Sequence, residues 1–369
     1  MRSRRRQGRR AGRQNAAPEH RLTKSELEAC AQLVQPHWNG RHRGPLVLTY
    51  ATTLPTDWTL GSSAAAQALP LVVAGLGLPS WPWYEGGSQV ITGIRRASQV
   101  LRRLLGDEQA VIVADAGDTF IPTELRGSAN AALQAVLEDQ RRVLVGAECW
   151  SWPKCYTSLF ADDTEFQGCL ATSSTCWPNG GTQLATTRAL ASLYFELAHR
   201  LAANRRLPPK HASMGKIERT NNQAILVRLF RNRSAMRHDL HMVVDHASTF
   251  FASLRPCGPS GANPLHLGAF VQCWDKAFVP GAHLHVNGSL VEFTPGEGPV
   301  QPFLLHANGR HGRLYKDRRF RPRLAQLRAS RPALYQHPVL LIDAAGRGVC
   351  NITTLGKLSL IRVGGGDSG

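Results

Sequence analysis

Asp115 and Asp118 stand three positions apart in "VIVADAGDTF" (residues 111–120), directly behind four apolar residues. A second apolar run, "VQPFLLHANG" (300–309), ends in the polar cluster His306 to Asn308. Two carboxylates and an imidazole suit a divalent cation of intermediate hardness; manganese fits better than calcium, which takes oxygen ligands. A cation held there can bridge to a diphosphate, and Arg310 and Arg313, just beyond His306, are placed to help neutralise it. The same residues have a plainer reading. Asp after a strand is a common turn residue and helix N-cap, and one histidine alone is no ligand set.

Such side chains need elements to hold them. "GPLVLTYATT" (44–53) reads as a buried strand behind Gly-Pro, ending in small hydroxyl residues, and "ALPLVVAGLGLP" (68–79) is a second apolar run. In 86–109, Val90, Ile94, Ala97, Val100, Leu101 and Leu104 recur at helical spacing with arginines opposite. "AVIVADAGD" is a third strand, "TELRGSANAALQAVLEDQ" a helix and "RRVLVGAE" a fourth strand. This alternation argues for an α/β fold with a mostly parallel sheet, whose ligands sit beyond the carboxyl ends of its strands. Helices are also expected over 23–35 and 186–204, a loop-rich stretch over 150–182, and a helical or strand–helix segment over 242–254. Beyond 300, the segment past 319 is expected to hold one helix and one strand.

Composition sets the outer limits. With 369 residues and 43% apolar content, a large core is available. Forty-four Lys+Arg against 26 Asp+Glu give a net charge of +18, which attracts anions such as nucleotide diphosphates, acidic glycans and nucleic acid. Residues 1–14 carry seven arginines and no acid, and 309–331 form a second basic run. The first reads as a solvated tail, with nucleic-acid binding as the alternative. Zinc-finger spacing and RNP-type aromatics are both missing, which makes nucleic acid the weaker partner. No run of about 18 apolar residues is present to span a bilayer, and no secretory leader is visible. Four of the eight cysteines, Cys149, Cys155, Cys169 and Cys176, cluster in one region, which suits local disulfides and reduced buried thiols equally. Asn-x-Ser/Thr triplets occur at Asn232, Asn287 and Asn351.

The order of motifs resembles the glycosyltransferase domain of the procollagen lysyl hydroxylases and related procollagen glycosyltransferases. The pieces are "LVLTYATT", "LGLPSW" with "GGSQV", "VIVADAGDTF", "LVGAECWSWP", "CWPNGGTQLA", "VVDHASTFF" and "PFLLHANG", covering roughly 44–318. The resemblance implies a GT-A-like, Rossmann-like nucleotide-sugar-binding domain over 21–318, with a basic tail over 1–20 and a basic extension over 319–369. It implies Mn²⁺ held by Asp115, Asp118 and His306. Thr49 and Tyr50 would line the uridine site, with Trp81 or Trp83 nearby. Gly86 and Gly87, and the loop Asn308, Gly309 and Arg310, would meet the nucleotide. Trp152, Asn179, Gly180 and Asp245 would face the donor sugar or the acceptor, with Asp245 the candidate for contacting the reacting hydroxyl. The implied reaction moves a hexose from UDP-glucose or UDP-galactose to a hydroxylated side chain of a protein, or to a sugar already attached to one. The implied compartment is the ER or Golgi lumen, with the cytoplasm as the alternative.

Departures from the pattern bear on chemistry. The family's Asp-Asp-Gln is Val244-Asp245-His246 here, and Ala307 replaces a glycine in the metal loop. An inactive, UDP-binding relative is therefore the rival reading from within the resemblance.

Overall fold

The structure, a computed structural model, describes residues 23–34, 44–52, 58–76, 78, 87–122, 124–148, 157–172, 175–206, 219–236, 238–253, 283–287, 290–294, 301–307, 321–342 and 350–360. Its main sheet comprises β1 (Leu46–Tyr50), β2 (Leu71–Ala74), β3 (Ala110–Ala114), β5 (Arg142–Glu148), β6 (Trp177–Thr186), β7 (His241–Asp245), β12 (Pro338–Ile342) and β13 (Cys350–Thr354). They lie in the order β13-β12-β2-β1-β3-β6-β5-β7. β12, β2, β1 and β3 run parallel, as do β5 and β7; β6 is reversed between β3 and β5, and β13 is reversed at the edge. The fold is thus α/β with a mostly parallel central sheet, as the strand–helix alternation implies.

Alternation along each strand builds a core on both faces. Leu46, Leu48, Val72, Val111, Val113, Val143 and Val145 face one way, onto α1 (Lys24–Val34), α3 (Gly87–Leu105), α6 (Thr187–Arg206) and α7 (Asn222–Arg231). Val47, Leu71, Val73, Ile112 and Leu144 face the other way, onto α2 (Thr59–Ala66), α4 (Gly127–Glu138) and α9 (Leu355–Leu360). Each such side chain contributes about 1.5–3 kcal/mol by leaving water. In α3 the buried Ile91, Ile94, Ala97, Val100 and Leu101 follow helical spacing, while Arg102 and Arg103 of its last turn are exposed.

The sequence reading needs correcting at four places. The stretch 150–182 is not all loop: α5 (Thr164–Thr172) lies within it, and β6 begins at Trp177 with every residue buried. The 242–254 segment is strand, turn, strand: β7 leads into β8 (Phe251–Ser253) with no helix between. Two short helices, α2 and α7, were not expected; α2 is buried nearly throughout and lacks a polar stripe, and α7 is short, with Arg228 and Arg231 its half-buried polar side. Finally, 319–369 is not an appendage to the main body. Its described residues supply α8 (Arg321–Leu334), β12, β13 and α9, and β12 pairs with β2 next to the β13 edge of the sheet. Of the clustered cysteines, Cys169 and Cys176 form a disulfide, and Cys30 is bonded to Cys350 across 320 positions. Cys149 and Cys155 lie outside the described residues.

One polar interaction anchors the far flank of the sheet. Arg233 follows α7 and turns inward, with both its side chain and that of Asp163 under one-tenth exposed. Its guanidinium donates to Asp163 Oδ2 at 2.5 Å and Oδ1 at 2.8 Å, and to Glu165 Oε2 at 2.9 Å, while lying 4.3 Å from the Phe230 ring centroid. Asp163 also accepts the Phe166 N–H at 3.0 Å, so the same carboxylate caps α5.

Candidate metal centre

β3 delivers the two carboxylates. Its last residue, Ala114, is buried, and the chain then turns through Asp115–Asp118 into the two-residue β4 (Thr119–Phe120). The turn is pinned from within: Asp115 N–H donates to Gly181 O at 3.0 Å, and Thr119 Oγ1 donates to Asp115 O. β4 pairs antiparallel with β11 (Leu304–His306), which pairs parallel with β8. In this register His306 stands opposite Thr119, and Ala307 N–H donates to Asp118 O at 2.8 Å. A small three-stranded sheet across the carboxyl edge thus carries a distant histidine to the aspartate pair.

The ligand atoms of Asp115, Asp118 and His306 lie within 4.8 Å of one another; among the described residues no other His, Cys, Asp or Glu group converges in this way. His306 Nε2 is 3.3 Å from Asp115 Oδ2 and 3.2 Å from Asp118 Oδ1. The imidazole is buried, Asp118 is mostly buried and Asp115 is 52% exposed, so the cluster opens to solvent on the Asp115 side. Burial alone would lower the imidazole pKa. The Asp118 charge and the bonds to both carboxylates outweigh it and push the value up to about 10. His306 Nδ1 is buried with no hydrogen-bond partner among the described residues.

This donor set fits a divalent cation: one imidazole nitrogen and two carboxylate oxygens converge on one point, with an open side. Gly181 keeps that point clear. A Cβ there would lie 2.2 Å from Asp115 Oδ2 and 2.7 Å from His306 Cε1. Gly181→Ala should push the half-exposed Asp115 carboxylate toward solvent and also press on the buried His306 ring. The shift separates Asp115 from His306, and metal affinity is expected to fall roughly 10- to 100-fold, by analogy with other changes in the groups that orient ligands. Metal titration of the variant checks this; unchanged affinity would mean the three side chains are not the ligand set.

β6 enters the site from the opposite direction, and its first turn carries a buried hydrogen-bond chain. Asn179 Nδ2 donates to Glu148 Oε2 at 3.1 Å, Gly181 N–H donates to Asn179 Oδ1 at 2.7 Å, and Gly181 O accepts from Asp115 N–H. Gln223 Nε2 donates to Glu148 Oε1 at 2.5 Å and to Pro178 O at 2.6 Å, and its Oε1 accepts from Gly180 N–H. Gln183 Nε2 donates to Gly180 O, and Tyr194 O–H donates to Gln183 Oε1, both at 2.8 Å. Glu148 was not singled out from sequence, although it ends a strand at the same edge. The network ties Glu148 at the end of β5 to the backbone of Asp115 at the end of β3.

The remaining sequence candidates divide as follows. Thr49 is fully buried, with no partner for its hydroxyl among the described residues, so of the pair at the end of β1 only Tyr50 reaches the edge. The Tyr50 ring lies against Gly75, whose φ of +90° and missing Cβ both favour glycine, and its O–H donates to Gln89 Oε1 at 3.4 Å. Gly87 does not face open space: a Cβ there would lie 2.5 Å from Thr220 O and 2.6 Å from Asn222 N, so its bareness serves packing of α3 against the start of α7. Asn179 uses both ends of its amide within the network. Gly180 packs against Gln223. Gly86, Trp81, Trp83, Trp152, Asn308, Gly309, Arg310 and Arg313 lie outside the described residues.

Asp245 is buried at the end of β7, and its carboxylate is fully engaged by its own loop. Oδ1 accepts from Thr249 N–H at 2.9 Å and Thr249 Oγ1 at 2.7 Å; Oδ2 accepts from the N–H groups of Phe250 at 2.7 Å and Phe251 at 2.8 Å. The loop passes through Ser248 at φ 54°, a conformation that needs such support. The geometry makes Asp245 the organiser of the turn that launches β8. Asp245→Ala leaves buried N–H donors without an acceptor and is expected to cost about 3 kcal/mol of stability. Chemical denaturation measures this; a variant as stable as the parent would mean these bonds do not hold the turn.

No protein-family model matches the sequence, and no curated protein does. Among solved structures, the apo form of the bifunctional glycosyltransferase WbbM is similar, with a TM-score of 0.35 and 8% sequence identity over 74% of this chain. The matched region is 47% of that protein, so this chain spans about half its length. The likeness to the procollagen lysyl hydroxylases accordingly rests on motif order. No described helix is long and apolar enough to cross a membrane.

Proposed function

We propose that this protein is a divalent-metal-dependent glycosyltransferase that moves a hexose from a UDP-sugar to a hydroxylated protein side chain or its attached sugar. The observation that carries the reading is the convergence of Asp115, Asp118 and His306 at the carboxyl edge of a mostly parallel sheet. Nucleotides bind at that edge in open α/β sheets. When bound, the cation, Mn²⁺ in this reading, supplies Lewis-acid stabilisation of negative charge on a departing diphosphate. The chain's own residues do the rest. Asp115 and Asp118 provide compensating negative charge, and His306 provides a nitrogen from a buried, fixed ring. Glu148, Asn179 and Gln223 hold the Gly180–Gly181 backbone against Asp115. Tyr50, beside the start of α3, would line the base in this reading. Luminal residence, in the ER or Golgi, is part of the same proposal and accords with the Cys30–Cys350 and Cys169–Cys176 disulfides.

A panel of UDP-sugars with Mn²⁺, followed by thermal shift and UDP release, tests the reading. Stabilisation by UDP with Mn²⁺ and UDP release from one hexose donor are expected. Binding without release or transfer to any acceptor would favour the inactive relative, in line with the engaged Asp245 carboxylate. No shift with any nucleotide would remove the proposal.

A further inference from the structure

Two Asn-x-Ser/Thr triplets lie on the surface, away from the metal centre. Asn232 closes the C-terminal end of α7, where its N–H donates to Leu229 O at 2.9 Å, and the chain leaves through a 3-10 turn over Arg233–Met236. Asn232 and Ser234 are exposed, while Arg233 between them points inward to Asp163. The inward arginine turns the acceptor amide and the hydroxyl that must accompany it out toward solvent. Asn351 is exposed in β13, the outermost strand of the main sheet, opposite Leu341. Neither amide makes a side-chain hydrogen bond to the described residues.

The disulfides add an independent observation. Cys30–Cys350 ties α1 to the residue just before Asn351, and Cys169–Cys176 closes the segment between α5 and β6. Cross-links of this kind persist in an oxidising lumen and are rare in the reducing cytosol. That lumen is also where Asn-x-Ser/Thr triplets receive glycans.

We infer that Asn232 and Asn351 are acceptors for N-linked glycosylation. In the transfer, Asn Nδ2 bonds to the anomeric carbon of a lipid-diphosphate-linked glycan and loses one proton to a base. The carbon–oxygen bond to the diphosphate breaks, and its electron pair leaves with the lipid diphosphate. Both asparagines lie away from the metal centre. Asn222 at the start of α7 lies beside Gly180, and Asn232 is at the other end of that helix, about 15 Å away at the usual helical rise. Asn351 is four strands from β3, about 19 Å at the usual strand spacing. The inference rests on the luminal residence proposed above and not on the transferase activity.

The test uses the full 369-residue chain, directed by a secretory leader into the lumen of a eukaryotic host. Mobility is compared before and after enzymatic removal of N-glycans, and the sites are mapped by the Asn-to-Asp conversion that removal leaves behind. Two mobility steps are expected. Asn232→Gln or Ser234→Ala should remove one, Asn351→Gln or Thr353→Ala the other, and the double variant should lack both. The hydroxyl variants leave both asparagines in place, so they separate lost glycosylation from a folding defect. A secreted, disulfide-intact chain with both asparagines unmodified would overturn the inference. So would a full shift that survives in the double variant, which would point to Asn287; modification of one site alone would overturn the assignment of the other.

Discussion

Replacing Asp115 by alanine is expected to lower divalent-metal affinity, and any metal-dependent transfer or hydrolysis of a UDP-sugar, by on the order of 100-fold or more, because one of three converging ligands is lost. The fold should survive. The Asp115 side chain is half-exposed, and its structural bond to Gly181 O is made by the backbone N–H, which alanine retains. Asp118 and His306 keep their 3.2 Å contact. Unfolding without metal should therefore change only by the loss of the Asp115–His306 contact, since Asp118 still faces the imidazole. In the parent, metal at about 100 times its Kd adds about 2.7 kcal/mol of stability by mass action. The variant should lose that increment. Isothermal titration with Mn²⁺ and thermal unfolding with and without it provide both readouts. An Asp115→Ala protein that binds Mn²⁺ as the parent does would remove the metal centre from the account.

Replacing Arg233 by alanine is expected to be among the most damaging single changes to stability, at about 3–5 kcal/mol, because it strands the Asp163 carboxylate in a buried position. The carboxylate would also be a poorer cap for α5, and the Phe230 ring would lose the cation above it. Arg233→Met should cost less than Arg233→Ala if packing is part of the effect, and Arg233→Ala combined with Asp163→Asn should cost less than the sum of the two singles. The pair also sets an acid limit. The Arg233 guanidinium, with the Phe166 N–H, holds the Asp163 carboxyl below the usual carboxylate range. A depressed folded-state pKa contributes stability that is fully present above the unfolded value and is lost as pH falls through the folded one. Parent and Arg233→Ala stability curves should therefore converge on acidification below the usual carboxylate range and run parallel at neutral pH. Urea denaturation across pH measures this; additive singles, or a gap that does not narrow in acid, would mean the pair is not coupled.

The parts of this site that could be read in the sequence are those made by neighbours in the chain. "VIVADAGDTF" carries its own meaning, since an apolar strand must end and its first polar residues fall at the ligand edge. His306 was legible as a polar residue closing an apolar run, but its meeting with the aspartates was not, because β4, β8 and β11 have to pair before it reaches them. Glu148 and Gln223 escaped notice for the same reason: they are 75 positions apart, and neither type signals its role without the other. β6 was hidden by its opening Trp-Pro-Asn-Gly-Gly, which reads as a turn. In the fold, Gly146 and Gly181 are bare because Thr182 and Asp115 press against them. Asp245 carries a structural role that its place at a strand end does not announce: four donors from its own loop engage it.

The central claim is that Asp115, Asp118 and His306 form a cation seat to which a nucleoside diphosphate binds. Calorimetric titration of UDP into the full chain, with Mn²⁺ and again with a chelator, tests it most directly. The account predicts measurable UDP binding in Mn²⁺ and a fall of at least about tenfold in affinity, equivalent to 1.4 kcal/mol, when the metal is removed. UDP binding of equal strength with and without the cation would contradict it.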